Sequence, residues 1–287
     1  MIDARIHTFL TLCKVGNYRK TAEILSMTQP AVTQHVHFLE EQYGCKLFEY
    51  KDRKLFKTQQ CEMLEKHALA TVYNDNAFKN LAKKPSKRKI AIGATKTVGE
   101  YLAKDMVVSM LKRDDIQFEF IVDNTKHLMN LLCSLKLDVL MIEGYFDKNE
   151  YGYKLIKKQE IVGICGKNHP FANKKVAIED VLQEHIIMRE EGSGTRSVFE
   201  TFLKQKNLTN ESFKKQSIIS SFSLIEKAVE ESVGISFVYE NIGLQNEKLS
   251  TFKIKGESIM HEFNYVYLKG ANIGDITGEI SLFEKET

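Results

Sequence analysis

No run of about 18 uncharged apolar residues, the length needed to cross a bilayer, occurs in the 287-residue chain, so membrane insertion is not expected. The N-terminal stretch MIDARIHTFLTLCK also lacks the unbroken apolar core of a secretory signal, because Asp3, Arg5 and His7 interrupt it. A mature, cytoplasmic start is the expectation. The cysteines, at 13, 45, 61, 133 and 165, are odd in number and include no CxxC pair, and the histidines offer no zinc spacing. Neither disulfides nor a structural metal are expected, no cofactor is implied, and the thiols should pack as small apolar groups.

A large net charge is missing too, since the total is only +3. Its distribution says more: residues 1–88 hold 15 Lys+Arg against 9 Asp+Glu, a surplus of 6, while the remainder holds 26 against 29. That asymmetry suits a DNA-binding head on a near-neutral body. The length allows two or three separate cores in a multidomain protein.

Asn17 to Leu39, NYRKTAEILSMTQPAVTQHVHFL, reads as two short helices joined by a tight turn. Thr28 is a plausible N-cap and Pro30 falls in the first turn, where a missing backbone N–H costs nothing. At about 100° per residue, Val32, Val36, Leu39 and Tyr43 form one stripe that should be buried. Pro30, Thr33, Gln34 and His37 lie opposite, with Gln29 on the flank, and these could face bases as in a helix-turn-helix. A helical hairpin with a polar outer face would read the same way.

An earlier helix is predicted from Ile2, Ile6, Phe9, Leu10 and Cys13, and the short second helix, Tyr18 to Ser26, is expected to turn Ala22, Ile24 and Leu25 inward. After Gly44, Leu47-Phe48 and Leu55-Phe56 flank a charged tip, Lys51 to Lys54. This reads as a β-hairpin wing whose Lys51, Arg53 and Lys54 could meet phosphates, although a solvated turn has the same composition. Thr58 to Lys84 has no Gly or Pro and predicts a helix of roughly 40 Å, with Cys61, Leu64, Ala68, Thr71, Phe78 and Ala82 along a seam that could pair with a second copy. The stretch KKPSKRK, 83–89, has linker composition.

Beyond it the pattern becomes βαβαβ: strands Ile90–Gly93, Phe118–Val122 and Asp138–Ile142, with helices through Val98–Met110 and Lys126–Leu135. A second copy is expected, with strands Ile161–Cys165, His185–Met188, Ser217–Ile219 and Gly234–Val238 and helices Ile178–Leu182, Arg196–Lys206 and Phe222–Ser232. A late strand, Phe263–Leu268, and a last helix, Ile273–Glu284, should return to the first subdomain. Ligands of such sheets bind beyond the strand carboxyl ends, between the subdomains.

Three motifs, A-x-x-L-x-x-T-Q-P-A-V-T from Ala22 to Thr33, the run Leu39-Glu40-Glu41…Gly44…Leu47-Phe48-Glu49, and IGATKTVGEYL, give the whole chain a resemblance to the LysR-type transcriptional regulators. The resemblance implies a winged helix-turn-helix at 1–58, a dimerising linker helix and hinge at 59–88, and a two-lobed α/β effector domain at 89–287 similar to periplasmic binding proteins. Lobe I would hold 89–160 and 264–287, and lobe II 161–263. It also implies a homodimer or homotetramer on double-stranded DNA, with RNA polymerase a further partner. By position, Gln29, Pro30 and Thr33 match groove-facing residues and Arg53 matches a basic residue of the wing. The family commonly has Arg after position 33, where this chain has Gln34 and then His35, and its usual wing-tip glycine is replaced by Asp52.

Two junctions are the candidate effector site: Ala94-Thr95-Lys96-Thr97 and Gly192-Ser193-Gly194-Thr195-Arg196. The second gathers backbone N–H groups and hydroxyls at a helix N-terminus, which favours an anion, although caps and a tight turn alone would have this sequence. It is no P-loop, since no Gly-Lys-Ser/Thr follows. The family match adds Thr95 and Thr97 to the cleft lining, and Glu143, after its strand, argues against a large polyanion. A small anion, a carboxylate or a sulfur oxyanion, is the expected effector, held by Thr95, Lys96, Thr97, Glu143, Ser193, Gly194 and Thr195. Two rivals remain on sequence: a DNA-bridging protein that senses nothing, and an enzyme built on Cys165 and His169.

Overall fold

The computed structural model describes residues 2–82, 87–243 and 246–281; residues 83–86 of the expected linker and 282–284 of the expected last helix lie outside the described residues. The chain forms two compact units. One is built on the residues up to Arg88 together with 149–152 and 267–274, and the other on the remainder.

In the first unit, α1 (Ala4–Val15), α2 (Tyr18–Ile24) and α3 (Gln29–Tyr43) are followed by β1 (Phe48–Lys51), β2 (Lys54–Lys57) and α4 (Gln59–Ala82). Each start is capped by a side chain: Asp3 accepts from Arg5 N–H, Asn17 from Lys20 N–H at 2.9 Å, and Thr28 from Ala31 N–H at 3.4 Å. Phe9, Leu12, Val36, Leu39, Leu47 and Cys61 fill the core, each no more than 2% exposed, and the burial of each large apolar side chain contributes about 1.5–3 kcal/mol. Cys13 and Cys61 pack there with sulfurs 3.7 Å apart.

Glu40 explains why the Leu39-Glu40…Leu47-Phe48 run has its spacing. Only 8% exposed, its carboxylate accepts the Leu47 N–H at 2.9 Å and the Lys46 ammonium at 2.7 Å, which ties the end of α3 to the root of the wing. Burial works against its charge, but the Lys46 and Leu47 bonds outweigh it and hold the carboxyl below the usual range. The strands β1 and β2 pair antiparallel with Lys51 opposite Lys54. Their two-residue turn places Asp52 at φ 48 and Arg53 at φ 62, the left-handed pair that a hairpin of this length requires, without a glycine at either position.

Two inward assignments need correction. Ile24 is 62% exposed, because it lies two residues, about 200°, from the buried Ala22 and cannot share its face. Tyr43 keeps the direction of the α3 stripe but falls on the last turn before Gly44, and is 48% exposed. Along the α4 seam, Cys61 and Ala68 pack into the head, and Phe78 is 69% exposed in the single chain.

In the second unit, β3 (Arg88–Thr95), a π-helical turn (Val98–Leu102), α5 (Lys104–Leu111), β4 (Ile116–Asp123), α6 (Thr125–Cys133) and β5 (Val139–Ile142) come first. The long β6 (Tyr151–Gly166) follows, then β7 (Lys175–Val176), α7 (Ile178–Leu182), β8 (His185–Met188), α8 (Gly194–Gln205), β9 (Lys215–Ile218) and α9 (Phe222–Glu230). The chain closes with β10 (Ser236–Tyr239), α10 (Glu240–Gly243), β11 (Leu249–Ile254), β12 (Ile259–Leu268) and α11 (Gly274–Ser281). An 8-stranded sheet runs β4-β3-β5-β12-β6-β11-β7, with β10 on β6, and β8-β9 form a separate parallel pair.

The sheet departs from two equal βαβαβ copies. β6 starts ten residues before Ile161, and its first half, YGYKLIKKQE, is mostly exposed or half-buried, so it carries no apolar run to mark it. β7 and β11 went unpredicted, and β10 and β11 both pair antiparallel with β6. β12 begins at Ile259 rather than Phe263 and runs antiparallel to β5, with Asn264 opposite Ile142. The chain therefore crosses between sheet regions on β6 and β12, with carboxyl ends of β3, β5 and β8 left to carry loops.

Candidate functional site

On the head, Gln29, Pro30, Gln34 and His37 are exposed along α3 and Thr33 is half-buried, while Lys51, Arg53 and Lys54 are exposed on the wing. Thr33 is less free than its composition implies, because its hydroxyl donates to the Gln29 carbonyl at 3.1 Å. His37 lies 3.5 Å from the Glu40 carboxylate, and Lys51 lies 3.3 Å from Glu49. His35, the second residue of the departure from the family pattern, turns inward, with its Nδ1 2.8 Å from the Thr8 hydroxyl. Gln34 alone takes the outward position next to Thr33. Arg5 adds a brace, its guanidinium 3.6 Å over the Phe38 ring.

In the second unit the predicted junctions converge. Thr95 donates to the Glu143 carboxylate, Thr97 also bonds it, and the Thr97 and Thr195 hydroxyls lie 3.3 Å apart. A Cβ on Gly194 would come within 2.9 Å of the Glu143 carbonyl, so the start of α8 approaches the end of β5 only because position 194 has no side chain. Ser193 caps α8. Glu143 is fully buried, and this burial pushes its carboxyl above the usual range against the opposing threonine bonds and the nearby Arg189 charge.

Arg189 and Glu190, at the carboxyl end of β8, were not among the sequence candidates, although the strand-end rule that selected Glu143 applies to them equally. Arg189 is 4% exposed and stacks 4.1 Å from the Phe222 ring. Its Nε and Nη2 donate to Glu190 at 2.8 and 3.1 Å, and its Nη1 is buried with no hydrogen-bond partner among the described residues. Lys96 reaches the same Glu190 carboxylate at 3.0 Å, and the Ser220 carbonyl at 3.3 Å. Glu190 thus clasps a cation from β3's end and one from β8's end. With Asp123, Asn124 and Thr125 these residues enclose only about 10 Å³ of space, and the Thr125 hydroxyl is also buried without a partner among the described residues. Arg196 does not face the cleft as a ligand group: it braces the turn, donating to the Arg189 carbonyl at 3.2 Å and to Glu200 at 2.7 Å.

Cys165 and His169 do not form a nucleophile and base. The Cys165 thiol is fully buried, points to the Ser250 carbonyl at 3.6 Å and is pushed up to about 11 by that burial, while the His169 ring sits 3.7 Å from Glu184. Among the described residues, no helix is long and apolar enough to cross a membrane.

Residues 4–62 match the family of bacterial regulatory helix-turn-helix proteins of the lysR type, and residues 83–274 match the LysR substrate binding domain. The chain is 24% identical over 277 residues to the HTH-type transcriptional regulator CysL of Bacillus subtilis, covering 91% of this chain and 89% of that one. It is 26% identical over 284 residues to the transcriptional activator CmpR of a Synechocystis strain, covering 95% and 92%. A variant of OxyR from Corynebacterium glutamicum shares the fold over 99% of this chain and 91% of its own, with a TM-score of 0.61 at 19% identity. The winged head, the long α4 and the curled α/β unit, with both family matches spanning them, make the chain a member of the LysR family of DNA-binding transcriptional regulators with an effector-binding domain.

Proposed function

We propose that this regulator reads base edges with Gln29, Pro30, Thr33, Gln34 and His37, positions itself on the phosphates with Lys51, Arg53 and Lys54, and is controlled by a small anion bound among Thr95, Lys96, Thr97, Glu143, Ser193, Gly194 and Thr195. Arg189 joins that set. The buried, unpartnered Nη1 of Arg189 carries the reading, because a guanidinium nitrogen withdrawn from water without an acceptor is costly and a ligand oxygen would satisfy it. Glu190 supplies an internal anion to Lys96 and Arg189. The effector therefore competes with an internal carboxylate, and a compact acid or oxyanion fits the closed cleft better than a bulky one.

The cytoplasm is the compartment in which such a protein meets DNA, and a homodimer is supported by the exposed Met63 and Phe78 on α4, 64% and 69% accessible in the single chain. Ligand binding would shift the closure of the effector unit and, through the dimer, the bend of the DNA, by no more than the ligand's preference between the two states.

Thermal shift against a panel of small carboxylates and sulfur oxyanions tests the sensor half: an anion at 100 times its Kd should stabilise by about 2.7 kcal/mol, and Lys96→Met and Arg189→Met should abolish the response. If no anion stabilises the wild type, a DNA-bridging protein without an effector becomes the better reading. For the head, Gln29→Ala should cost about 1–3 kcal/mol of discrimination between sites; retention of full discrimination would remove Gln29 from the base-reading set.

A further inference from the structure

Among the described residues the effector unit also holds a cavity far roomier than the cleft. It measures about 580 Å³, against the 10 Å³ between the cleft residues, and lies within the roughly 300–1,000 Å³ typical of small-ligand sites. Its walls come from the π-helical turn, α5, β5, the middle of β6, β12, α11, and Glu240 and Asn241 just after β10. Met106, Met141 and Phe263 form a fixed apolar wall, 4%, 5% and 0% exposed, while Met260, 52% exposed, and the half-buried Leu102 stand at the rim. Three methionines beside an aromatic ring make a polarisable surface that adapts to a flat apolar molecule.

The charges of the lining argue against an anion. Asp105, Glu160 and Glu240 face Lys157 and Lys158, and the Lys158 ammonium lies 3.5 Å from the neighbouring Glu262. Lys253 lies 2.6 Å from Glu160 and 3.0 Å from Glu240, and the Ser258 hydroxyl donates to the other oxygen of Glu160 at 3.0 Å, so Glu240, which holds only a share of that ammonium, is the carboxylate that favours a hydrogen-bond donor on a ligand. The exposed amide of Asn241 adjoins it.

We infer that this cavity is a second ligand site, for a neutral aromatic molecule bearing a hydrogen-bond donor, such as a phenol or an aryl amine. It is separate in chemistry from the anion cleft, yet the two share elements: Val98 follows Thr97 directly and Met141 shares β5's end with Glu143.

The test uses the full chain and the neutral fluorophore N-phenyl-1-naphthylamine, which carries one N–H and emits weakly in water. Titration should give a saturable rise in emission at one probe per chain. Leu102→Trp and Met260→Trp, which fill the rim, should each weaken binding at least tenfold, and Lys96→Met should leave it within twofold of the wild type. Since the chain has no tryptophan of its own, each introduced indole also reports whether the variant is folded and whether residual probe lies beside it. Met260 is exposed enough for its replacement to fold even if Leu102→Trp does not. Absence of saturable binding, unchanged affinity in Met260→Trp, or loss of binding in Lys96→Met would each overturn the assignment.

Discussion

Replacing Glu190 by Gln tests the proposal that this carboxylate competes with an anionic effector. The Glu190 carboxylate lies 3.0 Å from Lys96 Nζ and 2.8 and 3.1 Å from two nitrogens of Arg189. A single pair at about 3 Å is worth roughly 5–6 kcal/mol at an effective dielectric of about 20, before any cost of desolvation. Lys96 and Glu190 keep 32% and 23% of their side-chain surface in solvent, so screening and the desolvation of both partners reduce the net to about 1–2 kcal/mol. Gln keeps the shape but loses the charge and one acceptor oxygen. Without an anion the variant should therefore melt below the wild type, since Lys96 and Arg189 lose their counter-charge. With an anion its affinity should rise about 5- to 30-fold, the same free energy no longer being spent on displacement. Paired thermal melts and calorimetric titrations at fixed ionic strength read both quantities. The reasoning fails if the two shifts share a sign, or if anion affinity is unchanged within twofold while the apo melt falls.

Further predictions concern the head and the cleft floor. Glu40→Ala should cost about 2–3 kcal/mol in urea denaturation, because it strands the buried Leu47 N–H, whereas Lys46→Met, at a side chain that is itself 66% exposed, should cost under about 1 kcal/mol. The Glu40 carboxyl is held low, so its contribution is present above the unfolded pKa and lost as pH falls through the native one; the Ala variant should show a flatter acid limb. Glu143 has the opposite sign: its raised carboxyl favours the fold below the ordinary glutamate pKa and ceases to do so as pH climbs through the native value, and Glu143→Gln should remove that decline in melts taken as pH rises above the ordinary glutamate range. Arg53→Gly should relieve the left-handed strain and stabilise the hairpin by about 1 kcal/mol, while lowering the salt slope of DNA binding by about 0.9 for the lost phosphate contact.

The head was legible because its signals are local. Asn17, Thr28 and Gly44 mark helix ends within a few residues of the bonds they make, and the apolar spacing of Val32, Val36 and Leu39 is the spacing of the face they bury. Ile24 is apolar yet faces outward, since a helix of 7 residues is too short for repetition to fix its face. The effector unit was legible where strands are apolar on both faces, as in β3 and β5, and illegible where they are not. The first half of β6 is held by strand neighbours far away in sequence, and nothing within YGYKLIKKQE announces them.

The cleft shows the same limit in its chemistry. Thr95, Thr97, Glu143, Ser193 and Thr195 could be chosen one by one, since each follows a strand or opens a helix. That Arg189 and Glu190 belong with them depends on β8 ending beside β3's last residues, a fact of topology that brings Lys96 to within 3.0 Å of Glu190 across 94 positions of sequence. Adjacent arginine and glutamate look like a self-neutralised surface pair when read along the chain. Placed where Arg189 is 4% exposed, stacked on Phe222 and short of one acceptor, they become a charged site held shut by its own carboxylate. On the proposed reading, a sensor built this way would respond to a ligand only when the ligand satisfies Arg189 Nη1 better than Glu190 leaves it. Its selectivity would then rest on oxygen geometry at one buried nitrogen more than on total charge in the cleft.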